Sequence, residues 1–115
     1  MVVNLSEKVD ATCLITDSLI VSNTGLIVET TKEAGIMSYA SEDRQMEYGV
    51  LDTSSISYID LTRQVSDQVK RVLFDGIDID EVEVEHPELL VSLINGEVAQ
   101  YFEIEMPESF QSYVK

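Results

Sequence analysis

An acidic stretch in the second half of the chain, residues 75–87, reads DGIDIDEVEVEHP. Eleven of the 22 acidic residues lie within residues 75–108, and no lysine or arginine occurs between Arg71 and Lys115. The apolar residues of this region alternate with the charges, which is the period of a β-strand. The pattern therefore predicts folded sheet with an acidic outer face, as opposed to a disordered acidic tail.

The phase of the alternation changes inside the acidic stretch. Ile77 and Ile79 would share one face of a strand, whereas Val82 and Val84 would share the opposite face. A β-bulge at Asp80-Glu81 would restore the register, because a bulge adds one unpaired residue. A turn at the same place is the alternative.

The dipeptide Asn95-Gly96 separates two apolar runs, residues 89–94 and 97–106. Asn-Gly between such runs favours a hairpin, because a type I′ turn needs positive φ at both positions. The competing interpretation is a short helix that begins at Pro87 and has Gly96 as its stop. The hairpin is preferred, since residues 98–104 resemble a strand.

Residues 62–74 have the period of an amphipathic helix. Its apolar stripe consists of Val65, Val69, Val72 and Leu73. Asp60 or Thr62 is placed to cap the N-terminus, and Asp75-Gly76 is a suitable stop. The helix is expected to pack this stripe onto a sheet, so that Val69→Asp would be severely destabilising.

The first half of the chain reads mainly as strands. Residues 8–16 alternate as a half-buried strand with Cys13 facing the core. The runs 19–21 and 26–28, joined by the Gly-containing loop 22–25, favour a hairpin. Residues 46–50 and 56–61 predict two more strands, whereas residues 36–40 are ambiguous. The predicted fold is α+β: a mainly antiparallel sheet or partly closed small β-barrel of about six strands with one helix, in a single domain spanning residues 1–115.

Short pieces of the chain resemble translation elongation factor P. Residues 89–97 (LLVSLINGE) and 105–109 (EMPES) are similar to its C-terminal barrel strands, and residues 44–48 (RQMEY) to the start of its middle domain. The basic N-terminal domain and modified loop of that family have no counterpart here. The resemblance implies a small barrel and carries over no function.

The net charge of −15 limits the kinds of partner that the chain is expected to bind. Such a chain would repel nucleic acid and anionic membranes, which are bound through lysine and arginine. The single cysteine excludes an internal disulfide, and the first residues lack the pattern of a signal peptide. These features predict a cytoplasmic or virion-associated protein.

Few residues suggest chemistry. His86 could act as a general base oriented by Glu85 or Glu88, although a surface histidine before a proline is the simpler interpretation. Cys13 is expected to be a buried, inert thiol. The carboxylates do not match a calcium loop, and no phosphate-binding glycine loop occurs. Neither a metal nor a cofactor is predicted.

The predicted function is that of a non-enzymatic acidic interaction or assembly protein, such as a phage or virion component. It would bind a protein partner, for which a basic protein is the best match to the acidic chain, and it would form a homo-oligomer. The predicted partner-binding residues are the acidic side chains Asp78, Asp80, Glu83, Glu85, Glu103 and Glu105. One alternative is a nucleic-acid mimic that inhibits a basic DNA-binding protein. Another is a small enzyme that uses His86.

Overall fold

A computed structural model describes residues 8–87 and 89–115. In chain order its elements are β1 (Ala11–Leu14), α1 (Ser18–Ser22), α2 (Thr24–Glu33), β2 (Met37–Ala40), a 3-10 helix (Asp43–Tyr48), β3 (Asp52–Ile56), α3 (Tyr58–Leu73), a 3-10 helix (Ile79–Glu81), β4 (Leu90–Ile94), α4 (Gly96–Tyr101) and a 3-10 helix (Glu108–Tyr113). The chain divides into two compact units. Unit 1 is Met1–Ser55 with Val91–Lys115, described from residue 8 onward, and unit 2 is Ile56–Leu90.

The four described strands form one open, mixed sheet in the order β1-β2-β3-β4. The pairs β1/β2 and β2/β3 are parallel. β4 runs antiparallel to β3, because the N–H of Asn95, just after β4, donates to the carbonyl of Leu51, just before β3, at 2.9 Å. The prediction of a mainly antiparallel sheet or six-stranded barrel is therefore wrong, as is the barrel that the resemblance to elongation factor P implied.

Two helices occupy the region predicted to be a β-hairpin. The carboxylate of Asp17 caps α1 by accepting hydrogen bonds from the N–H groups of Leu19 and Ile20. α2 then buries Thr24, Val28 and Thr31, which lie at i, i+4 and i+7 on one face. Because two of these three buried residues are threonines, the apolar residues by themselves do not show the helical period. Tertiary packing overrides the weak preference of β-branched residues for strands.

Helices cover both faces of the sheet in unit 1. On one face, the buried core consists of Leu14, Val28, Ala40 and Val50, with Ile20, Ile27 and Met46 packed against it. On the other face, Leu51, Val98 and Ala99 form a second buried cluster, with Met37, Tyr39, Phe102, Ile104 and Met106 against it. A sheet covered on both faces suits parallel strands, which need crossover helices.

The strand predicted at residues 8–16 exists as β1, but its phase is the reverse of the prediction. Leu14 is buried and Cys13 is exposed, so the expected inert core thiol is wrong. The ambiguous residues 36–40 contain β2. The strand predicted at residues 46–50 is wrong, because most of it lies in the 3-10 helix, which Gly49 ends with φ of 88°.

The dipeptide Asn95-Gly96 begins a helix and does not form a hairpin turn. The side chain of Asn95 caps α4 by accepting from the N–H of Val98. A Cβ on Gly96 would lie 3.0 Å from Val114 Cγ1 and 3.3 Å from the carbonyl oxygen of Lys115. This close approach favours glycine, because a side chain at residue 96 would require the C-terminal residues to shift by a few tenths of an ångström. The strand at residues 89–94 is confirmed as β4, whereas the hairpin and the competing helix are both wrong.

Unit 2 contains the predicted amphipathic helix, which is confirmed but begins earlier than predicted. Ser57 caps α3 by accepting from the N–H of Asp60 at 3.3 Å. The pKa of Asp60 is lowered, first by a hydrogen bond with the Ser57 side chain and also by Arg63, whose Nη1 lies 2.8 Å from Asp60 Oδ1. The cap at Ser57 precedes both of the predicted caps, Asp60 and Thr62.

The apolar stripe of α3 is only partly covered. No residue of the helix is buried, and Val65 and Val69 remain 49% and 47% exposed. The acidic stretch that follows forms no strand; it contains a 3-10 helix with Asp78 at its N-cap. The predicted acidic sheet is thus wrong, and the open alternative of a turn at Asp80-Glu81 agrees with the structure.

Candidate functional site

The carboxyl ends of β1 and β2 lie side by side in unit 1. Their parallel register pairs Ala11 with Met37 and Leu14 with Ala40. The segments that follow, residues 15–18 and 41–43, therefore leave the sheet at the same edge. In open α/β sheets, ligands bind in the crevice outside this edge.

Two hydroxyl groups meet at this edge. Thr16 Oγ1 lies 2.9 Å from Ser41 Oγ, across 25 residues of sequence. The Ser41 hydroxyl donates to the carbonyl of Leu14 at 3.2 Å, and the Ser41 N–H donates to the same oxygen at 3.1 Å. Because Ser41 uses its proton on Leu14, Thr16 is the donor to Ser41. The lone pairs of the exposed Thr16 oxygen can then accept from a ligand.

Asp17 holds a carboxylate beside these hydroxyls. Its Oδ1 accepts from the N–H of Leu19 at 2.9 Å and of Ile20 at 3.3 Å, which fixes the orientation of the side chain. The residue is nevertheless exposed, as is Ser18. Thr16, Asp17, Ser18 and Ser41 are named here the carboxyl-edge site. The site offers an anionic group and hydroxyl groups, which suit a small polar molecule that carries an amine.

Sequence reasoning missed the carboxyl-edge site. By sequence, Thr16-Asp17-Ser18 is a turn candidate before the runs that favour a hairpin, and residues 41–43 are polar and turn-like. The available signal was that both polar triplets directly follow alternating or apolar runs. That signal becomes meaningful only when residues 18–33 are helical, because a crossover helix makes the two strands parallel and brings their carboxyl ends together.

A second feature of unit 1 is a cleft of about 410 Å³ on the face opposite α2, named here the Asp52 cleft. Its lining residues are Tyr39, Leu51, Asp52, Ser92, Ile94, Ile104, Met106, Pro107, Phe110 and Tyr113. Burial raises the pKa of Asp52, and a hydrogen bond from the Thr53 backbone N–H partly opposes that shift. The cleft therefore combines apolar walls with a single carboxylate.

The six acidic residues predicted to bind a partner do not lie on one strand. Asp78, Asp80, Glu83 and Glu85 lie in unit 2, around the 3-10 helix and the segment after it, and Glu103 and Glu105 lie in unit 1. All six are exposed. They are not neighbours on a single strand face, because the strand that would have aligned them does not form.

Side chains of α3 bind the segment that carries Glu83 and Glu85. Gln64 donates to the Glu85 carboxylate and to the carbonyl of His86, both at 3.0 Å. Arg71 lies 3.4 Å from the other Glu85 oxygen. Glu85 therefore has a structural role within unit 2.

The alternative prediction of an enzymatic site concerned His86 with Glu85 or Glu88. His86 is exposed, and Glu88 lies outside the described residues. Within residues 8–87 and 89–115, no group of three or more His, Cys, Asp or Glu side chains could hold a metal ion.

A family model described as ABC transporter substrate binding protein matches residues 1–115. The chain belongs to this family. The predicted acidic assembly protein of phage or virion type is therefore wrong, and neither alternative describes a substrate-binding protein. The predicted basic protein partner and homo-oligomer are also wrong, since the family binds small-molecule ligands and interacts with a transporter. No curated protein matches the chain significantly.

Solved structures of similar fold agree with the family. An ABC domain from Streptococcus pneumoniae, in complex with L-Trp, is 26% identical with a TM-score of 0.82, over 99% of this chain and 39% of that one. A conserved domain protein from Vibrio cholerae is 19% identical with a TM-score of 0.81, over 99% and 39%. The ligand-free, open structure of a substrate binding protein with adhesive properties from Clostridium difficile is 20% identical with a TM-score of 0.77, over 99% and 38%. The last two show the fold alone.

The chain spans about two-fifths of the length of these solved relatives. Among the described residues, no helix is both long enough and apolar enough to cross a membrane.

Proposed function

We propose that this chain contributes a ligand-binding surface to the substrate-binding component of an ABC transporter, and that the ligand is a small molecule carrying an amine, such as an amino acid. The observation that carries the proposal is the meeting of Thr16 and Ser41 at the shared carboxyl edge of two parallel strands. The complex of the Streptococcus pneumoniae relative with L-Trp supports the amino-acid class.

Each group of the carboxyl-edge site would bind a different part of the ligand. The Asp17 carboxylate would pair with the ammonium group, because hydrogen bonds between charged groups are the stronger ones. Thr16, with its proton committed to Ser41, would accept a further hydrogen bond from the ligand. The exposed Ser18 hydroxyl can donate to a ligand carboxylate.

Titration of isotope-labelled protein with L-amino acids, followed by NMR, tests the proposal. We expect shifts concentrated at residues 16–18 and 41. Thr16→Val should weaken binding roughly tenfold, which corresponds to one hydrogen bond of about 1.4 kcal/mol. Asp17→Asn should weaken it more, by roughly tenfold to a hundredfold, because a charged hydrogen bond is lost while asparagine can still cap α1.

Thr30→Val is the matched control for Thr16→Val. Thr30 is half-buried on α2, and its hydroxyl donates locally, to the carbonyl of Leu26 at 2.7 Å. The control variant should bind like the wild type. Amino acids that leave the resonances of residues 16–18 and 41 unmoved, or that bind Thr16→Val and Asp17→Asn as well as the wild type, would refute the proposal.

A further inference from the structure

The Asp52 cleft is separate from the carboxyl-edge site and is lined by other residues of unit 1. β2, β3 and β4 supply its floor, and residues 104–113 supply the opposite wall. Its volume of about 410 Å³ lies in the ordinary range for small-molecule sites, roughly 300–1,000 Å³.

The register of the sheet turns the Asp52 side chain toward this cleft. Tyr39 and Asp52 are partners in the parallel pair β2/β3, so their side chains project from the same face. Tyr39 packs against the buried cluster of Leu51, Val98 and Ala99, which identifies that face as the one beneath the cleft. Asp52 is half-buried there, at the edge of an apolar surface.

The charge of Asp52 is not balanced within the cleft. None of the ten lining residues is a lysine, arginine or histidine. Burial without a cationic neighbour disfavours the ionised form, which agrees with the raised pKa of this carboxyl group. A bound cation would remove that penalty.

The aromatic side chains favour the same kind of ligand. Phe110 and Tyr113 remain 47% and 43% exposed, with ring centroids 6.3 Å apart and planes tilted by 54°. Covering exposed aromatic surface with a ligand lowers the free energy, because apolar area is removed from water. Aromatic faces also attract ammonium groups, most strongly where water is excluded.

We propose that the Asp52 cleft is a second small-molecule site, which binds a molecule with an aromatic or aliphatic body and a protonated amine. The amine pairs with the Asp52 carboxylate, and the apolar body lies between Tyr39 and the aromatic pair Phe110 and Tyr113. This proposal is independent of the proposed function, because the two sites share no residue.

An NMR titration of the unaltered protein with three related probes tests the expected preference for a cationic ligand. Benzylamine, benzyl alcohol and phenylacetate have similar apolar bodies and are cationic, neutral and anionic at neutral pH. We expect benzylamine to shift the resonances of Tyr39, Ser92 and Phe110, and to bind at least tenfold more tightly than benzyl alcohol. Phenylacetate should bind most weakly.

Asp52→Asn is expected to lower the affinity for benzylamine about tenfold and to leave benzyl alcohol unchanged. The control is Asp10→Asn, which makes the same charge change at an exposed residue that does not line the cleft. Equal binding of all three probes, shifts outside the cleft, or an equal loss with Asp10→Asn would overturn the proposal. The probe series decides the question even if Asp52→Asn alters the fold.

Discussion

The buried hydroxyl pair of Thr31 and Ser38 joins α2 to β2, the strand that leads to Ser41. The two Oγ atoms are 2.7 Å apart, and the residues are 1% and 4% exposed. Thr31 Oγ1 also lies 3.0 Å from the carbonyl oxygen of Val28, to which it donates. Since Thr31 has one hydroxyl proton, Ser38 must donate the hydrogen bond between the two side chains.

This proton arrangement predicts unequal costs for the two single substitutions. Thr31→Val keeps the shape of the side chain but leaves the buried Ser38 donor unsatisfied, which costs about 1–3 kcal/mol. Ser38→Ala leaves Thr31 with its bond to Val28, so the expected cost is about 0.5–1.5 kcal/mol. The double variant contains no unsatisfied donor, and its cost should be below the sum of the singles by about 1 kcal/mol.

Urea denaturation followed by far-UV circular dichroism measures these free energies of unfolding. Thr30→Val, which removes a hydroxyl from the same helix, should change stability by no more than about 0.5 kcal/mol. The reasoning is refuted if Thr31→Val costs no more than Ser38→Ala, or if the effects of the two substitutions simply add.

Three further predictions concern single residues. Ser57→Ala should destabilise α3 by about 1 kcal/mol through loss of its cap, and should raise the pKa of Asp60 toward its ordinary value, both measurable by NMR. An unchanged Asp60 titration would contradict the hydrogen bond between the Ser57 and Asp60 side chains. In the folded protein, the pKa of Asp52 is raised from its ordinary value of 3.8. Ionisation of Asp52 therefore lowers the free energy of unfolding at pH values above the folded pKa, and this loss disappears as the pH falls below 3.8. Asp52→Asn should therefore be more stable than the wild type in urea at neutral pH and lose this advantage in acid; a variant that is less stable at neutral pH would contradict this. Val69→Asp should lower the free energy of unfolding by only about 1 kcal/mol in urea denaturation, because Val69 is 47% exposed. A decrease of several kcal/mol would show that the apolar stripe of α3 is buried.

The candidate site could not be predicted from the sequence because its residues come from different parts of the chain. Thr16 and Ser41 are 25 residues apart, and each by itself is an ordinary turn residue after a strand. Their contact exists because α1 and α2 carry the chain across the sheet, so that β1 and β2 run in the same direction. The charge pattern, in contrast, pointed to Asp78 and its acidic neighbours. These carboxylates are exposed, so water solvates their charges and no ligand is required to do so.

Local physical chemistry was sufficient for some elements. The apolar stripe of α3 and the following Asp75-Gly76 predicted a helix there, because helical period and end preferences act over a few residues. Residues 89–94 were likewise predicted as a strand, and β4 lies there.

The tertiary structure decided what the β-branched runs at residues 19–28 became, which way the strands run, and what Asn95-Gly96 does. In each case the local sequence is compatible with two structures. Burial of Thr24, Val28 and Thr31 against the sheet selects the helix, and the approach of Val114 and Lys115 selects glycine at residue 96. These choices depend on contacts between residues far apart in sequence, whose free energy exceeds the small differences in local preference.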